Sequence, residues 1–292
     1  MKITEAFERG EFVVTAEVGP PKGFHIEHML EEAKTYLGGI TAVNVTDNQS
    51  SVMRLGSLAT CKALKDEGLT PIFQMTCRDR NRIALESDLL SAALFGIENL
   101  LLLTGDHTKL GDHPQAKPVF DLDSVSLIHA VKQLESGVDL GGNELVGEPP
   151  KFAKGAVVSP CSDSVDVQLA KMERKVAAGA EYFQTQAVYE PEKFIQFMEK
   201  AKQFGKPVQL GIVIPKSVGM CRYMNANVAG IHVPEEMIEE LKADKEKTKA
   251  GITGVEIAAR VIKECRPYCQ GVHIMAMGWE SKVPDLLKAA GI

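Results

Sequence analysis

Two carboxylates stand where catalytic groups are expected in a protein built from parallel strands. Glu17 comes near the carboxyl end of the β-branched run F-V-V-T-A-E-V, and Asp106 follows the apolar run N-L-L-L-L-T-G. Ligands of such proteins bind beyond the carboxyl ends of the strands. Two acids in different surroundings can divide the work, because the more buried one keeps a proton that the other has lost. We therefore predict acid–base chemistry at this pair, while Asp106 could also simply cap the next segment.

More polar residues follow the other apolar runs that we predict as strands. At these strand ends stand Thr46, Asp47, Gln74, Thr76, Thr104, Ser159, Gln186, Lys216, Trp279 and Glu280. Polar side chains that converge on an otherwise apolar mouth make a ligand site the default hypothesis. Caps and turn residues also gather at strand ends, so some of these residues are expected to be structural only.

Three cationic residues lie on one predicted helix after the fifth strand. Lys171, Arg174 and Lys175 are spaced by three and four residues, which brings them to the same side of a helix. Such a group can bind a phosphate, and it can also be an ordinary solvated helix face. The spacing alone leaves both interpretations open.

Motifs of several other enzyme classes are missing. The chain has no G-x-G-x-x-G opening a helix after a strand, no Walker loop, no H-E-x-x-H and no G-x-S-x-G. These absences argue against a Rossmann dinucleotide site, a nucleotide hydrolase, a metalloprotease and a serine hydrolase. The six cysteines form no C-x-x-C pair, so we predict no metal site in this chain.

The order of apolar and amphipathic segments explains how the strand-end residues come together. Predicted strands cover residues 12–18, 40–46, 71–76, 99–103, 155–159, 182–187, 208–214 and 271–277, and segments with helical periodicity separate them. This is the count of a (βα)8 TIM barrel. We predict one such barrel as the single domain of residues 1–292, with the active site at the C-terminal ends of the strands.

Two stretches interrupt this alternation. The polar stretch 107–123 is longer than an ordinary loop, and we expect it to act as a lid. The glycine-rich stretch 136–150 has the composition of an interdomain linker. Because the strand–helix order resumes directly after it, we keep one domain.

Composition and charge exclude several kinds of partner. The net charge is −6, the isoelectric point is about 5.7 and no long basic run occurs, which argues against a nucleic acid as the main partner. Charged residues interrupt the first residues of the chain, which argues against a signal peptide. No apolar run is long enough to span a membrane. We expect a cytoplasmic protein with a small-molecule or protein partner, and a homo-oligomer stays open.

Motifs spread over nearly the whole chain carry a resemblance to a known family. They are A-E-V-G-P-P-K-G at 16–23, N-V-T-D at 44–47, T-G-D at 104–106, K-M-E-R-K-V-A-A-G-A at 171–180 leading into Q-T-Q at 184–186, and I-P-K-S at 214–217 followed by M-C-R-Y-M-N. In this order and spacing they resemble the methylenetetrahydrofolate reductase family, flavoproteins with a (βα)8 barrel. The resemblance implies a flavin-dependent reductase that converts methylenetetrahydrofolate to methyltetrahydrofolate.

The resemblance also implies roles for single residues. Glu17 matches the family's general acid, Asp106 matches the aspartate that tunes the flavin and contacts the pterin, and Gln186 matches a glutamine at the substrate's pterin ring. Flavin-contacting positions of the family are occupied by Thr46, Gly105, Lys171, Arg174 and Lys175. We count Gln74, Thr104 and Ser159 as further candidate cofactor contacts because they stand at strand ends.

Some positions depart from the family's pattern. S-P-C-S at 159–162 stands where bacterial members often have the His-Pro-Glu stretch that helps hold adenosine, so the flavin can be FAD or FMN. Met220 stands where some members place a phenylalanine that stacks in the donor site, and we count Met220 as a candidate substrate contact. The electron donor can be NADH or a separate iron–sulfur subunit, as in some relatives. Two alternatives therefore stay open: a flavin-carrying subunit of a larger electron-transfer complex, and a flavin-free pterin-dependent methyltransferase barrel.

Overall fold

Eight short apolar segments form a closed barrel of parallel strands in the computed structural model, which describes residues 1–292. The strands are β1 (Val13–Val18), β2 (Ala42–Val45), β3 (Pro71–Thr76), β4 (Asn99–Leu103), β5 (Ala153–Val158), β6 (Tyr182–Ala187), β7 (Val208–Val213) and β8 (Gly271–Met275). Each strand pairs with the next along the chain, and β8 pairs with β1. The predicted (βα)8 TIM barrel is confirmed.

Twelve α-helices surround or close the barrel. They are α1 (Ile3–Glu8), α2 (Glu27–Leu37), α3 (Ser57–Asp66), α4 (Arg82–Leu94), α5 (Ser124–Glu135), α6 (Val165–Ala178), α7 (Pro191–Ala201), α8 (Val218–Asn227), α9 (Glu235–Ala243), α10 (Lys245–Lys249), α11 (Ile252–Cys265) and α12 (Val283–Ala290). Periodicity predicts all of them except α1 and α10, which are too short to repeat an apolar pattern. No helix has the length and apolar character needed to cross a membrane.

Strand β4 illustrates why these segments become barrel strands. Its alternate residues point to opposite sides, and both sides are apolar because helices cover the outside while side chains fill the inside. Leu100 and Leu102 belong to the large core between the barrel and its helices, whereas Leu101 belongs to a smaller cluster that also contains Ile3 and Tyr182. An unbroken run of leucines therefore suits a strand that is buried on both faces.

Helix α1 closes the barrel at the N-terminal ends of the strands. Ile3 and Ala6 of this helix are fully buried in the smaller cluster, beside Val13 and Tyr182 at the starts of β1 and β6. The backbone N–H of Ile3 donates to the side chain of Asn99, the first residue of β4, at 2.7 Å. A ligand therefore has access only to the opposite mouth, where active sites of this fold lie.

A glycine makes room for the largest side chain at that closed end. Gly155 of β5 pairs with Tyr182 of β6, and a Cβ atom added to Gly155 would lie 2.3 Å from the Tyr182 ring. The Tyr182 hydroxyl donates to the Leu100 carbonyl at 2.8 Å, so the ring cannot easily move aside.

We expect Gly155→Ala to lower the free energy of unfolding by about 2 kcal/mol or more, because overpacking forces the backbone to shift. Urea denaturation followed by circular dichroism measures this change. Gly39→Ala is the matched control, since a Cβ at Gly39 would meet nothing within 4 Å. Equal stability of both variants would mean that the packing at Tyr182 is loose.

Five predicted strands differ from the structure at their ends. Strands β1, β2 and β7 are one to three residues shorter than the predicted 12–18, 40–46 and 208–214. The predicted strand 271–277 stops at Met275, because Met277 and Gly278 have φ angles of 52° and 85° that turn the chain. The predicted strand 155–159 starts earlier, at Ala153, and ends at Val158. Ser159 therefore belongs to the loop after β5.

The polar stretch 107–123 packs against the loop that follows β2. Asp112 accepts a hydrogen bond from the backbone N–H of Met53 at 3.1 Å and pairs with Lys22 from the loop after β1. A Cβ on Gly111 would lie 1.7 Å from the carbonyl oxygen of Ser51, so the two loops touch through their backbones. The stretch is thus held near the barrel mouth, and a lid movement stays a prediction.

Candidate active site

A cavity of about 440 Å³ opens at the C-terminal ends of the strands. Twelve residues predicted from the sequence line it: Glu17, Thr46, Asp47, Gln74, Thr76, Thr104, Gly105, Asp106, Ser159, Lys171, Lys175 and Gln186. They come from β1, β3 and β6, from loops after strands and from helix α6. The expectation that site residues lie at the C-terminal ends of the strands therefore identifies residues that line one cavity.

Two predicted site residues lie outside this lining. Arg174 is exposed on α6, and Met220 packs partly buried against the core from α8. The strand-end residues Lys216, Trp279 and Glu280 are also outside it. The Lys216 ammonium lies 5.0 Å from the centre of the Trp279 ring. The barrel thus brings together most, but not all, of the polar residues at its strand ends.

Two neighbouring side chains hold the carboxylate of Glu17 in the cavity. Nε2 of Gln74 donates to its Oε1 at 2.9 Å, and Nε2 of His273 lies 3.4 Å from the same oxygen. The Glu17 side chain is 12% exposed. It also lines a second cavity of about 360 Å³ on its other side. A carboxyl held in this way can transfer a proton at a defined position.

Asp106 lines the same cavity in different surroundings. Its side chain is exposed at the mouth, and its backbone carbonyl accepts from Nη1 of Arg78 at 3.5 Å. The preceding Gly105 has φ +91°, and a Cβ there would lie 3.0 Å from Cβ of Thr76, so the turn needs glycine. The two carboxylates share one cavity, as predicted, and only Glu17 is shielded from water.

Two lysines of α6 bring positive charge to the cavity. Lys175 is largely buried, and its Nζ donates to the carbonyl of Val157 at 2.6 Å. Burial, together with the nearby Lys171 ammonium, lowers the pKa of Lys175 to about 8, while Asp123 opposes this shift. An ammonium in this situation favours an anionic ligand, because an anion would restore the stability of its charged form.

Other charged groups at the mouth are engaged with each other. Oδ2 of Asp47 accepts from the N–H and the hydroxyl of Thr76 at 2.8 and 2.9 Å and also pairs with Arg80. The guanidinium of Arg78 is almost fully buried and pairs with Asp79 at 2.7 Å. Asp47 therefore holds neighbouring loops together. Sequence reasoning missed Arg78, whose only signal is the charged tetrapeptide C-R-D-R after β3.

Three interior polar residues were also missed. Asn44 and Gln184 are hydrogen-bonded to each other at 2.9 Å inside the barrel, and His273 contacts Glu17. All three are buried. The sequence feature that could have identified them is a polar residue at an inward-facing position of an otherwise apolar strand, as in G-V-H-I-M of β8.

Metal chemistry has no obvious centre in this chain. No group of three or more His, Cys, Asp or Glu side chains is arranged to hold a metal ion. The six cysteines are free and buried. Burial raises the pKa of Cys77 and Cys161 to about 12, which keeps these thiols protonated.

A family model and the similar curated proteins point to the same protein family. The family model described as "Methylenetetrahydrofolate reductase" matches residues 2–291. The chain is 26% identical over 248 residues to methylenetetrahydrofolate reductase 2 of Schizosaccharomyces pombe, with 81% of this chain and 38% of that protein covered. It is 24% identical over 265 residues to 5,10-methylenetetrahydrofolate reductase of Salmonella typhimurium, with 87% and 82% covered. The chain thus spans less than half of the yeast protein and most of the bacterial one.

A solved structure has the same fold over its full length. It is that of an uncharacterized protein from Clostridium thermocellum that binds two copies of 5-methyl-5,6,7,8-tetrahydrofolic acid. The TM-score is 0.68 at 14% sequence identity, with 99% of this chain and 98% of that chain covered. At this identity the likeness supports the barrel fold.

Proposed function

The chain belongs to the methylenetetrahydrofolate reductase family, and we propose that it converts methylenetetrahydrofolate to methyltetrahydrofolate with a bound flavin. The observation that carries this proposal is the shared cavity, which is lined both by the shielded carboxyl of Glu17 and by the cationic groups of Lys171 and Lys175. The names of the similar proteins from yeast and Salmonella support the reaction. The folate bound by the Clostridium thermocellum protein supports the substrate class.

The residues of the cavity fit a flavin. The hydroxyl of Thr46 is buried at the cavity wall without a hydrogen-bond partner, and buried hydroxyls normally have one. Lys171 and Lys175 offer two cationic groups for the flavin's phosphate. Gln74, Thr104, Gly105 and Ser159 are proposed as further contacts, and Arg174 stays a predicted one. When bound, a flavin supplies the hydride, while the protein supplies placement and charge.

Glu17 is proposed as the general acid. Methylenetetrahydrofolate is a poor hydride acceptor until protonation of a bridging nitrogen opens it to an iminium cation. Glu17 is held by Gln74 and is mostly shielded from water, so its proton would go to the substrate and not be exchanged with solvent.

Asp106 and Gln186 are proposed to hold the substrate in its reactive form. The Asp106 carboxylate at the mouth favours a cationic iminium nearby by simple Coulomb attraction. Oε1 of Gln186 accepts from the N–H of Ala187 at 3.0 Å, which leaves its amide nitrogen available to donate to a pterin carbonyl. Met220 stays a predicted substrate contact from the resemblance alone.

Product analysis under anaerobic conditions tests the proposed reaction. The purified protein is given methylenetetrahydrofolate and a chemical reductant for flavins, and the folate product is identified by mass spectrometry. We expect methyltetrahydrofolate in proportion to the reductant consumed. A flavin-bound protein that forms no methyltetrahydrofolate would contradict the proposal.

The same assay separates the alternatives. Methyl transfer that needs no reductant and proceeds in a colourless protein would indicate a pterin-dependent methyltransferase barrel. Turnover with the chemical reductant but not with NADH would favour an iron–sulfur partner as the electron source. The mass of the released cofactor decides between FAD and FMN.

A further inference from the structure

A line of polar side chains runs from Glu17 into the barrel interior. His273 Nε2 lies 3.4 Å from Oε1 of Glu17, and His273 Nδ1 lies 3.0 Å from the hydroxyl oxygen of Thr15. Nε2 of Gln184 and Nε2 of Gln209 also lie 3.2 and 3.1 Å from this oxygen. The four interior residues are almost fully buried. A polar network at such depth is costly unless its geometry is well defined.

Backbone carbonyls determine how the two amides are oriented. Nε2 of Gln209 also lies 3.3 Å from the carbonyl oxygen of Val13 and 3.2 Å from that of Val272. Carbonyl oxygens only accept, so the amide nitrogen and not the oxygen must face them. Oε1 of Gln209 then accepts from Nε2 of Gln184 at 3.0 Å, which orients the second amide as well.

The hydroxyl group of Thr15 consequently has a single acceptor to which it can donate its hydrogen. Two amide nitrogens face its oxygen, and neither can accept, so the hydrogen must go to Nδ1 of His273. A proton on Nδ1 would leave the buried hydroxyl without an acceptor, which is unfavourable. We infer that the barrel interior holds His273 with a bare Nδ1 and its hydrogen on Nε2, directed at Glu17.

This tautomer makes His273 and Thr15 positioning residues for Glu17. Nε2 of Gln74 and Nε2 of His273 lie 2.9 and 3.4 Å from Oε1 of Glu17, and their N–H groups are directed at it. The other carboxyl oxygen of Glu17, Oε2, is therefore the one left to carry a proton into the cavity. This consequence rests on the proposed function, whereas the tautomer itself does not. The β1–β8 register, which pairs Thr15 with His273, is what joins the two residues.

Nitrogen NMR of the intact protein reads the tautomer directly. Long-range proton–nitrogen correlation of histidine-labelled protein at neutral pH separates ring nitrogens that carry hydrogen from those that do not, and His273→Gln identifies which signals belong to His273. We expect a protonated Nε2 and a bare Nδ1. A bare Nε2, or two protonated nitrogens, would overturn the inference whether or not the protein reduces folate.

Thr15→Val tests the positioning role with a side chain of nearly the same shape. It removes the hydroxyl hydrogen from Nδ1, and we expect kcat for folate reduction to fall about tenfold at unchanged KM, as for a lost buried hydrogen bond. Thr15→Ser keeps the hydroxyl and should restore kcat. Wild-type kcat in a folded, flavin-loaded Thr15→Val protein would refute the role. A correct tautomer in a protein without reductase activity would instead refute the proposed function alone.

Discussion

Replacing Glu17 with glutamine is expected to lower the rate of methylenetetrahydrofolate reduction by about a thousandfold, because an amide cannot give a proton to the substrate nitrogen. Glutamine has nearly the same size, and its oxygen can still accept from Nε2 of Gln74. Electron entry into the flavin does not use this proton. Rapid-mixing absorbance should therefore find flavin reduction unchanged and flavin reoxidation by the folate strongly slowed.

The control for this variant is Glu8→Gln. Glu8 is exposed on α1 at the closed end of the barrel, so this change removes one carboxylate far from the cavity, and both half-reactions should keep their rates. Full folate turnover in Glu17→Gln would remove Glu17 from the role of general acid. Equal loss of both half-reactions would point to damaged flavin binding.

The second large effect is expected at Lys175. Lys175→Met removes the buried ammonium from the cavity and should raise the Kd for flavin by about 10- to 100-fold, the range of a lost hydrogen bond to a charged group. Fluorescence titration of the flavin-free protein measures this change. Lys249→Met, on exposed α10, is the matched control and should leave the Kd unchanged. An unchanged Kd in Lys175→Met would mean that this ammonium does not bind the cofactor.

The affinity of the wild-type protein for flavin should also depend on pH. Without flavin, burial and the nearby Lys171 lower the pKa of Lys175 from its ordinary 10.5 to about 8. A bound phosphate favours the charged ammonium, so the pKa rises in the complex. Affinity is then fully present below about pH 8 and falls as the pH rises from about 8 to the higher pKa that Lys175 has in the complex. The Lys175→Met protein should lose this dependence, and a slope that persists in it would assign the effect to another group.

The barrel could be predicted because its strands are buried on both faces. Runs such as the leucines of β4 have no polar side, and a helix follows each of them. Helix α1 could not be predicted from periodicity, since its six residues make under two turns, and only the packing of Ile3 and Ala6 against the barrel floor explains it. The end of β8 depended on the backbone angles of Met277 and Gly278.

The site could be predicted in part because strand ends meet at one mouth in this fold. This rule brought Glu17 and Asp106 into one cavity without any knowledge of register. Helical spacing was a coarser guide, because Arg174 lies about 100° around the helix from Lys175, is exposed and does not line the cavity.

The interior contacts could not be predicted at all from local patterns. Thr15 and His273 are 258 positions apart and meet only through the pairing of the first strand with the last. The orientation of each amide in this network depends on carbonyls of other strands, such as those of Val13 and Val272. Such information exists only once the barrel is closed.

The visible spectrum of the purified protein tests the central claim most directly. We expect a yellow protein whose flavin absorbance is bleached by an anaerobic reductant and returns when methylenetetrahydrofolate is added, because in the proposed reaction the cavity would hold the hydride donor and the acceptor together. A protein that stays colourless with added FAD and FMN, or a reduced flavin that the folate cannot reoxidise, would contradict it.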